Sequence, residues 1–197
     1  MKIFLSILIP YFIGCFSSAY FLGKTSKNID IRNYGSGNAG ATNALRVLGK
    51  KMGALTFALD IIKGIVAVLI GKALLGYDGG LLASFFVVLG HDFPVFLRFK
   101  GGKGVATSFG VLLVLNWKVG LLCLLTIVLV TLFTRYVSLG SITAAVFAPL
   151  FTVLVSNPVD KYLFITIWIL AGLLILRHKA NIIRLCNGEE NKLGNNI

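Results

Sequence analysis

Long apolar runs separated by short polar stretches dominate this sequence. The runs cover about residues 3–23, 53–71, 80–97, 105–116, 119–134, 139–155 and 161–177. Most of them approach the roughly 20 residues of helix that cross a bilayer core of about 30 Å. The pattern predicts an all-α polytopic membrane protein, with a single integral membrane domain over residues 1–197.

The number of spans depends on the run at 105–116, because twelve residues of helix rise only about 18 Å. It could join 119–134 as one long helix interrupted at Asn116–Lys118, which gives six spans instead of seven. Seven spans place most of the 19 Lys and Arg residues on one side, whereas six divide them more evenly. Because cytoplasmic loops are enriched in Lys and Arg, we expect seven transmembrane helices, N-terminus outside and C-terminus cytoplasmic. The first run is long enough to be a retained span and not a cleaved signal peptide.

Composition supports a membrane protein, since 57% of residues are hydrophobic, 13% are charged and the mean hydropathy is +0.89. The net charge of +12 fits the positive-inside bias and partners such as anionic lipids or substrates. No nucleic-acid-binding module is visible, so nucleic acid is not expected as a partner. The three cysteines, Cys15, Cys123 and Cys186, show neither metal-ligand spacing nor a disulfide framework.

The most polar connection is a glycine-rich loop that ends in an arginine. Small residues let several backbone N–H groups approach a ligand and form an anion-binding nest. A flexible connector is the alternative, but it would not need so many hydrogen-bonding side chains. We expect Thr42 or Asn43 to cap a short helix that carries Arg46 and Lys50 on one face. The candidate phosphate-binding residues are Gly35, Ser36, Gly37, Asn38, Gly40, Thr42, Asn43, Arg46 and Lys50.

The spacing of Gly35, Gly37 and Gly40 also matches a dinucleotide-binding GxGxxG motif. That motif requires a βαβ unit, whereas a membrane span follows here, so a Rossmann fold is excluded.

A second cluster of glycines and cations lies directly before the run at 105–116. A helix N-terminus behind a glycine turn is a ready anion site. The alternative is simple positive-inside charge, which suffices for Arg98. Lys103, flanked by glycines, is the better functional candidate. The cluster comprises Lys100, Gly101, Gly102, Lys103 and Gly104, with Thr107 beyond.

Two further polar groups stand out. Asp60 and Lys63 lie three apart within a span, which is costly, so we expect either a structural ion pair or a role in a site. The segment 177–184 is predicted to continue the last helix, with Arg177, Asn181 and Arg184 on one face. An interfacial basic helix is the alternative for this segment.

Together these motifs resemble a known family over essentially the whole chain. It is the bacterial acyl-phosphate:glycerol-3-phosphate acyltransferase family of the inner membrane (PlsY family). The residues that carry the resemblance are Gly35–Asn43 with Arg46, Asp60–Gly64, Pro94–Phe96 running into Phe99–Thr107, Arg135–Ser141, and Arg177–His178 with Asn181 and Arg184.

The resemblance implies seven transmembrane helices and a site lined by cytoplasmic loops in the bacterial inner membrane. It implies transfer of a fatty acyl group from acyl phosphate to the 1-hydroxyl of glycerol 3-phosphate, giving lysophosphatidic acid and phosphate. This would be the first acylation step of phospholipid biosynthesis, with no metal or cofactor and neither acyl-CoA nor acyl carrier protein as direct donor. The expected partners are the two substrates and the lipid bilayer, with an upstream acyl-phosphate-forming enzyme as a further candidate.

The resemblance also suggests roles for individual residues. We expect Arg46, with Asn181 and the His178 region, to hold glycerol 3-phosphate. Ser36, nearby N–H groups and Lys103 would hold the acyl phosphate and its leaving phosphate. Neither His91 nor His178 has an aspartate five residues on, so the HxxxxD pair of many glycerolipid acyltransferases is absent. The base is then a phosphate oxygen of the donor or His178. The expected catalytic residues are Ser36, Lys103, His178 and Asn181; Ser141 and Arg184 join the expected substrate-binding residues.

Two other functions are weighed against this one. An organophosphate transporter would need binding groups reachable from both faces and polar residues through the core, yet the outer connections are short and plain. A membrane assembly factor without catalysis would not need the chemistry of residues 35–46.

Overall fold

The computed structural model describes residues 1–194, and within that range the secondary structure is helical, without strands. Two compact units divide the chain, Met1–Val114 and the residues from Leu115 onward. Two short 3₁₀ turns, Ile31–Asn33 and Val95–Leu97, lie in connections. The helices are α1 Lys2–Cys15, α2 Ser18–Lys27, α3 Ala41–Leu48, α4 Lys50–Asp92, α5 Val105–Leu115, α6 Trp117–Thr134, α7 Val137–Val155, α8 Lys161–Arg177 and α9 Lys179–Cys186.

Several of these helices are long and apolar enough to cross a membrane. By length and composition, residues 1–194 contain four such stretches, or five if α8 and α9, bent by 58°, count as one. Helix α5 is apolar but shorter. The four stretches are Lys2–Lys27, Lys50–Leu97, Trp117–Thr134 and Val137–Val155. Large apolar side chains such as Leu132 (70% exposed) and Phe133 (85%) cover their outer faces, as expected for surfaces solvated by lipid.

The first span is broken, although the sequence predicts one run at 3–23. Helix α1 ends at Cys15, and Phe16 and Ser17 have extended backbone. Helix α2 then begins at Ser18, with the Ser17 hydroxyl accepting a hydrogen bond from the Tyr20 N–H. The break matters because it frees backbone carbonyls within an apolar segment, where they need polar partners.

Helix α4 is a helical hairpin. Leu75 and Gly76 have non-helical backbone angles, and the φ of +63° at Gly76 suits a residue without Cβ. Gly71 and Gly79 then face each other, so closely that a Cβ on either would collide with the carbonyl of the other. The two limbs correspond to the predicted runs at 53–71 and 80–97.

Glycines set the close helix crossings of the first unit. A Cβ at Gly90 would collide with the Tyr11 carbonyl, and one at Gly64 with the Thr107 carbonyl. These contacts bring α1 against the second limb of α4, and α5 against the first limb. Small residues at crossings are the usual packing solution in membranes, because lipid gives helices little hydrophobic reason to associate.

The second unit is built from α6 to α9. Asn116 separates α5 from α6 and caps α6, with its Oδ1 accepting from the Val119 N–H at 3.3 Å. Residues 105–134 therefore form two helices, which are separated at the predicted interruption. At the other end, α8 and α9 bend by 58° around His178, so segment 177–184 does not continue the last helix straight. The prediction that Arg177, Asn181 and Arg184 share one helix face is wrong for Arg177, because it ends α8 before the bend.

Candidate functional site

The first glycine loop is organised by the side chain of Asn43. Asn43 is 1% exposed. Its Oδ1 accepts a hydrogen bond from the Ser36 N–H at 2.8 Å, and its Nδ2 donates to the carbonyls of Ile31 (3.2 Å) and Tyr34 (3.1 Å). Gly35 has a φ of +59°, and a Cβ there would collide with Asn43 Oδ1. The loop is therefore a defined structure that presents an exposed Ser36.

This arrangement corrects two predictions. Neither Thr42 nor Asn43 caps the short helix, because the N-cap is Gly40 and no side chain caps α3. Arg46 and Lys50 do not share a helix face either. Gly49, with a φ of +92°, ends α3 after Leu48, and Lys50 begins α4.

The interpretation of the first glycine loop as an anion-binding nest also changes. The Ser36 N–H is bound by Asn43, and the Gly37 N–H donates to the Tyr34 carbonyl at 3.1 Å. These two N–H groups are engaged within the loop. The beginning of α3 at Gly40, where no side chain caps the helix, is the better place for an anion. Arg46 lies in the last turn of this helix.

The second glycine cluster packs against His91. The Gly101 N–H donates to the Asp92 carbonyl (3.3 Å), and the Gly102 N–H donates to the His91 carbonyl (3.0 Å). A Cβ at Gly102 would collide with His91 Nε2. Both glycines are buried, and Lys103 beside them is half-buried. The sequence predicts an anion site at the helix N-terminus behind this turn, and the structure shows that the N–H groups of Gly101 and Gly102 are engaged in holding the turn itself.

Helix α5 begins directly after this turn. Gly104 has a φ of +75°, and a Cβ there would come close to the Asp92 carboxylate and Val88. Thr107, a predicted substrate-binding residue, is fully buried in α5. Its side-chain oxygen has no hydrogen-bond partner in the described part of the chain.

The two glycine loops are joined to each other within the first unit. Asn38 Nδ2 donates to the Gly101 carbonyl at 3.3 Å. Arg32 Nη1 donates to the Leu97 carbonyl at 2.8 Å, while its Nε and Nη2 bind Asp30. These hydrogen bonds from Arg32 hold the pKa of the Asp30 carboxyl below its ordinary value. The structure therefore brings the Ser36 loop to the Lys103 turn, as a shared site requires.

Asp60 and Lys63 form the ion pair that the sequence allows, with 2.9 Å between Lys63 Nζ and Asp60 Oδ1. His91 joins them, since its Nδ1 lies 2.7 Å from Lys63 Nζ. No role for His91 follows from the sequence, because its partner Lys63 lies far away along the chain.

The second unit holds the remaining predicted residues. His178 is 3% exposed, and its Nδ1 lies 2.8 Å from the Leu174 carbonyl. A carbonyl can only accept, so Nδ1 carries the proton, and Nε2 of the neutral ring is an acceptor. Asn181 Nδ2 and Arg184 Nε donate to opposite oxygens of Glu190, at 2.9 and 2.8 Å. Ser141 donates to the Val137 carbonyl of its own helix.

Glu190 belongs to none of the motifs visible in the sequence. It is 7% exposed and also accepts from the Ser138 hydroxyl at 3.1 Å. The available signal was its rarity, since the chain has only seven Asp and Glu residues and this one follows a basic segment. Within residues 1–194, no three His, Cys, Asp or Glu side chains are grouped as metal ligands.

The described chain is helical, and several of its helices are long and apolar enough to cross a membrane, as in an integral membrane protein. The sequence matches the family described as glycerol-3-phosphate acyltransferase over residues 4–188. The chain belongs to this family and is an integral membrane acyltransferase.

Individual relatives agree over nearly the full chain. A glycerol-3-phosphate acyltransferase of Thermoanaerobacter sp. (strain X514) is 52% identical over 190 residues, covering 96% of this chain and 95% of its own. That of Clostridioides difficile (strain 630) is 45% identical over 203 residues, with 98% of each chain covered.

Solved structures agree as well. The crystal structure of PlsY (YgiH), described as an integral membrane glycerol 3-phosphate acyltransferase, superposes in its glycerol 3-phosphate form with a TM-score of 0.92 at 39% identity. That alignment covers 98% of this chain and 96% of the other. Its lysophosphatidic acid form gives a TM-score of 0.89 at 38% identity over the same shares.

Proposed function

We propose that this enzyme transfers a fatty acyl group from acyl phosphate to the 1-hydroxyl of glycerol 3-phosphate. The products are 1-acyl-glycerol 3-phosphate (lysophosphatidic acid) and inorganic phosphate, in the first acylation step of phospholipid biosynthesis. Glycerol 3-phosphate and lysophosphatidic acid are named for the two related crystal structures. An acyl phosphate donor is our inference from the sequence motifs and the chemistry of the loops.

The observation that carries the proposal is the joined pair of glycine loops in the first unit. The bond from Asn38 to the Gly101 carbonyl places an exposed serine loop beside a turn that carries Lys103. Helix α3 begins at Gly40 without a side-chain cap, so its N-terminus is open to an anion. Arg46 provides a cation on the same helix. Two phosphorylated substrates need two cationic or N–H-rich positions, and this arrangement offers them.

We assign Ser36 and Lys103 to the acyl phosphate and Arg46 to glycerol 3-phosphate. His178 and Asn181, in the second unit, are proposed to act in the same reaction. Gly35, Gly37, Gly104 and the other loop residues shape the binding surfaces. Ser141 and Arg184 have a supporting role in this proposal, because their side chains bind a carbonyl and Glu190 respectively.

The chemistry needs little beyond positioning and charge neutralisation. The 1-hydroxyl oxygen attacks the acyl carbon, and the bond from that carbon to the phosphate oxygen breaks. The hydroxyl proton passes to a phosphate oxygen of the donor or to Nε2 of His178. Because phosphate is a good leaving group, an HxxxxD base is not required. Cations near the departing phosphate stabilise the charge that develops on it.

We further propose seven spans in the bacterial inner membrane, with the loops and the C-terminus in the cytoplasm. The break at Leu75–Gly76 supports this count, because it divides the longest apolar stretch into two limbs. Cys186 is exposed, whereas Cys15 and Cys123 are buried. An impermeant maleimide should therefore label Cys186 in inside-out vesicles and not in intact spheroplasts. Labelling in spheroplasts would contradict the topology.

The function is tested with purified protein, acyl phosphate and radiolabelled glycerol 3-phosphate. We expect labelled lysophosphatidic acid in amounts that depend on both substrates. The general base is tested with His178→Ala. A wild-type rate of lysophosphatidic acid formation in this variant would eliminate His178 as the base. Uptake of glycerol 3-phosphate into liposomes without acylation would instead indicate a transporter and refute the proposal.

A further inference from the structure

Four polar side chains meet inside the apolar part of the first unit. They come from α2 and from both limbs of α4, and all are buried, with exposed fractions of 1%, 1%, 6% and 5%. Groups of this kind are costly in a membrane unless they are paired or serve a function. We call them the buried polar cluster: Ser18, Asp60, Lys63 and His91.

Lys63 is the centre of the cluster. Its ammonium group lies 2.9 Å from Asp60 Oδ1 and 2.7 Å from His91 Nδ1, and it donates to the carbonyls of Phe16 at 2.8 Å and Gly14 at 3.3 Å. The Phe16 carbonyl is available because the first span is broken there. An ammonium group has no acceptor atom and can only donate, so His91 Nδ1 acts as the acceptor in this contact. The proton of the neutral imidazole is then on Nε2.

His91 connects Lys63 to the second glycine turn. Its carbonyl accepts the Gly102 N–H at 3.0 Å, and the next carbonyl, of Asp92, accepts the Gly101 N–H. The Nε2 edge of the ring packs directly on Gly102, where any Cβ would collide with it. The ring therefore contacts Lys63 through Nδ1 and packs against the backbone that precedes Lys103.

Charge neutralisation alone does not explain the cluster. Asp60 and Lys63 neutralise each other, and the Ser18 hydroxyl donates a further hydrogen bond to Asp60 Oδ1 at 2.9 Å. A buried ion pair of this kind can often be replaced by neutral residues without loss of stability. Neutralising Asp60 does not require the contact between Lys63 and His91, and His91 in turn packs against the Gly101–Gly104 turn.

We propose that Lys63 and His91 are positioning residues, which hold the Gly101–Gly104 turn so that Lys103 meets the phosphate of the acyl donor. The proposal rests on the proposed function for the role of Lys103. A displacement of about 1 Å at a reacting group can lower turnover by about a hundredfold. Disorder in the turn should therefore affect catalysis more than folding.

The test uses two variants and one control in the full-length purified enzyme. Asp60→Asn/Lys63→Met removes both charges together, so neither is left unpaired. His91→Leu removes the ring and leaves the ion pair intact. Ser84→Ala is the control, because Ser84 is fully buried on the same limb as His91 and its hydroxyl donates to the Leu81 carbonyl of its own helix.

We expect both variants to keep a cooperative thermal unfolding transition. The KM for acyl phosphate should rise about tenfold or more, with slower turnover. Amide hydrogen exchange at Gly101–Gly104 should accelerate at least as much, while exchange across Ala41–Leu48 and the kinetics of Ser84→Ala stay unchanged. A merely structural role would lower the folded fraction, and therefore kcat, without changing KM.

The proposal is overturned if either variant folds and retains wild-type KM and wild-type exchange in the turn. If the double variant does not fold, His91→Leu decides the outcome. If the wild-type enzyme makes no lysophosphatidic acid from acyl phosphate, the proposed function fails. The exchange measurement still decides whether the cluster holds the turn.

Discussion

Removing the Asn43 side chain tests whether the first loop is built as described. Asn43→Ala deletes three hydrogen bonds, to the Ser36 N–H and to two carbonyls. At about 1 kcal/mol of net stabilisation each, the upper expectation is about 3 kcal/mol. The actual cost should be smaller, because the Ile31 and Tyr34 carbonyls each keep a backbone donor and Ser36 is exposed to water. We expect about 2 kcal/mol of destabilisation.

Asn43→Asp gives a sharper comparison. Its carboxylate keeps an acceptor for Ser36 but places a negative oxygen 3.1–3.2 Å from two carbonyls that Nδ2 now contacts. Burying that charge without a cation is costly, so this variant should be at least as unstable as Asn43→Ala. In Asn43→Ala, kcat/KM should fall by more than the loss of folded enzyme explains, because the Ser36 N–H loses the acceptor that holds it in place.

The assays are thermal unfolding in detergent and kcat/KM for lysophosphatidic acid formation. Asn33→Ala is the matched control, because Asn33 is exposed on the preceding turn and should tolerate the change. The reasoning is refuted if Asn43→Ala behaves like this control in both assays, or if Asn43→Asp is more stable than Asn43→Ala.

Three further predictions concern packing, pH and the second unit. Gly90→Ala should lower the free energy of unfolding by several kcal/mol, because a Cβ there meets backbone that cannot move aside; Gly172→Ala, with open space around it, should unfold like wild type. Asp30→Asn should cost about 1 kcal/mol at neutral pH. The pKa of Asp30 is lowered in the folded protein. The difference in unfolding free energy between wild type and Asp30→Asn should therefore disappear as pH falls below about 4, and a difference that stays constant with pH would contradict this. Glu190→Ala should reduce both stability and kcat/KM through loss of three hydrogen bonds, whereas Glu190→Gln should retain more of both; equal losses would refute this.

The membrane helices were largely predictable, because apolar runs report directly on spans. The predicted run at 161–177 coincides with α8, and 139–155 falls within α7. The break at Phe16–Ser17 was not predictable, since both residues lie inside an apolar run. The break depends on partners that are distant along the chain, such as Lys63, whose ammonium group donates to the Phe16 carbonyl that the break leaves without a helical donor.

The positions of the two glycine-rich loops along the chain could be predicted from the sequence, but the hydrogen bonds that shape them could not. Glycine, amide and cation patterns identified both loops. They did not show that Asn43 faces inward to hold Ser36, or that Gly102 is small because His91 packs on it. Glu190 was missed for the same reason, because its partners are assembled only by the fold.

The central claim, an acyl phosphate donor used at these loops, is tested most directly by measuring both products together. Purified enzyme would receive labelled glycerol 3-phosphate with acyl phosphate or, in a parallel reaction, with acyl-CoA. We predict equal molar amounts of lysophosphatidic acid and phosphate from acyl phosphate, and no lysophosphatidic acid from acyl-CoA. Acylation from acyl-CoA at a comparable rate, or none from acyl phosphate, would contradict the claim.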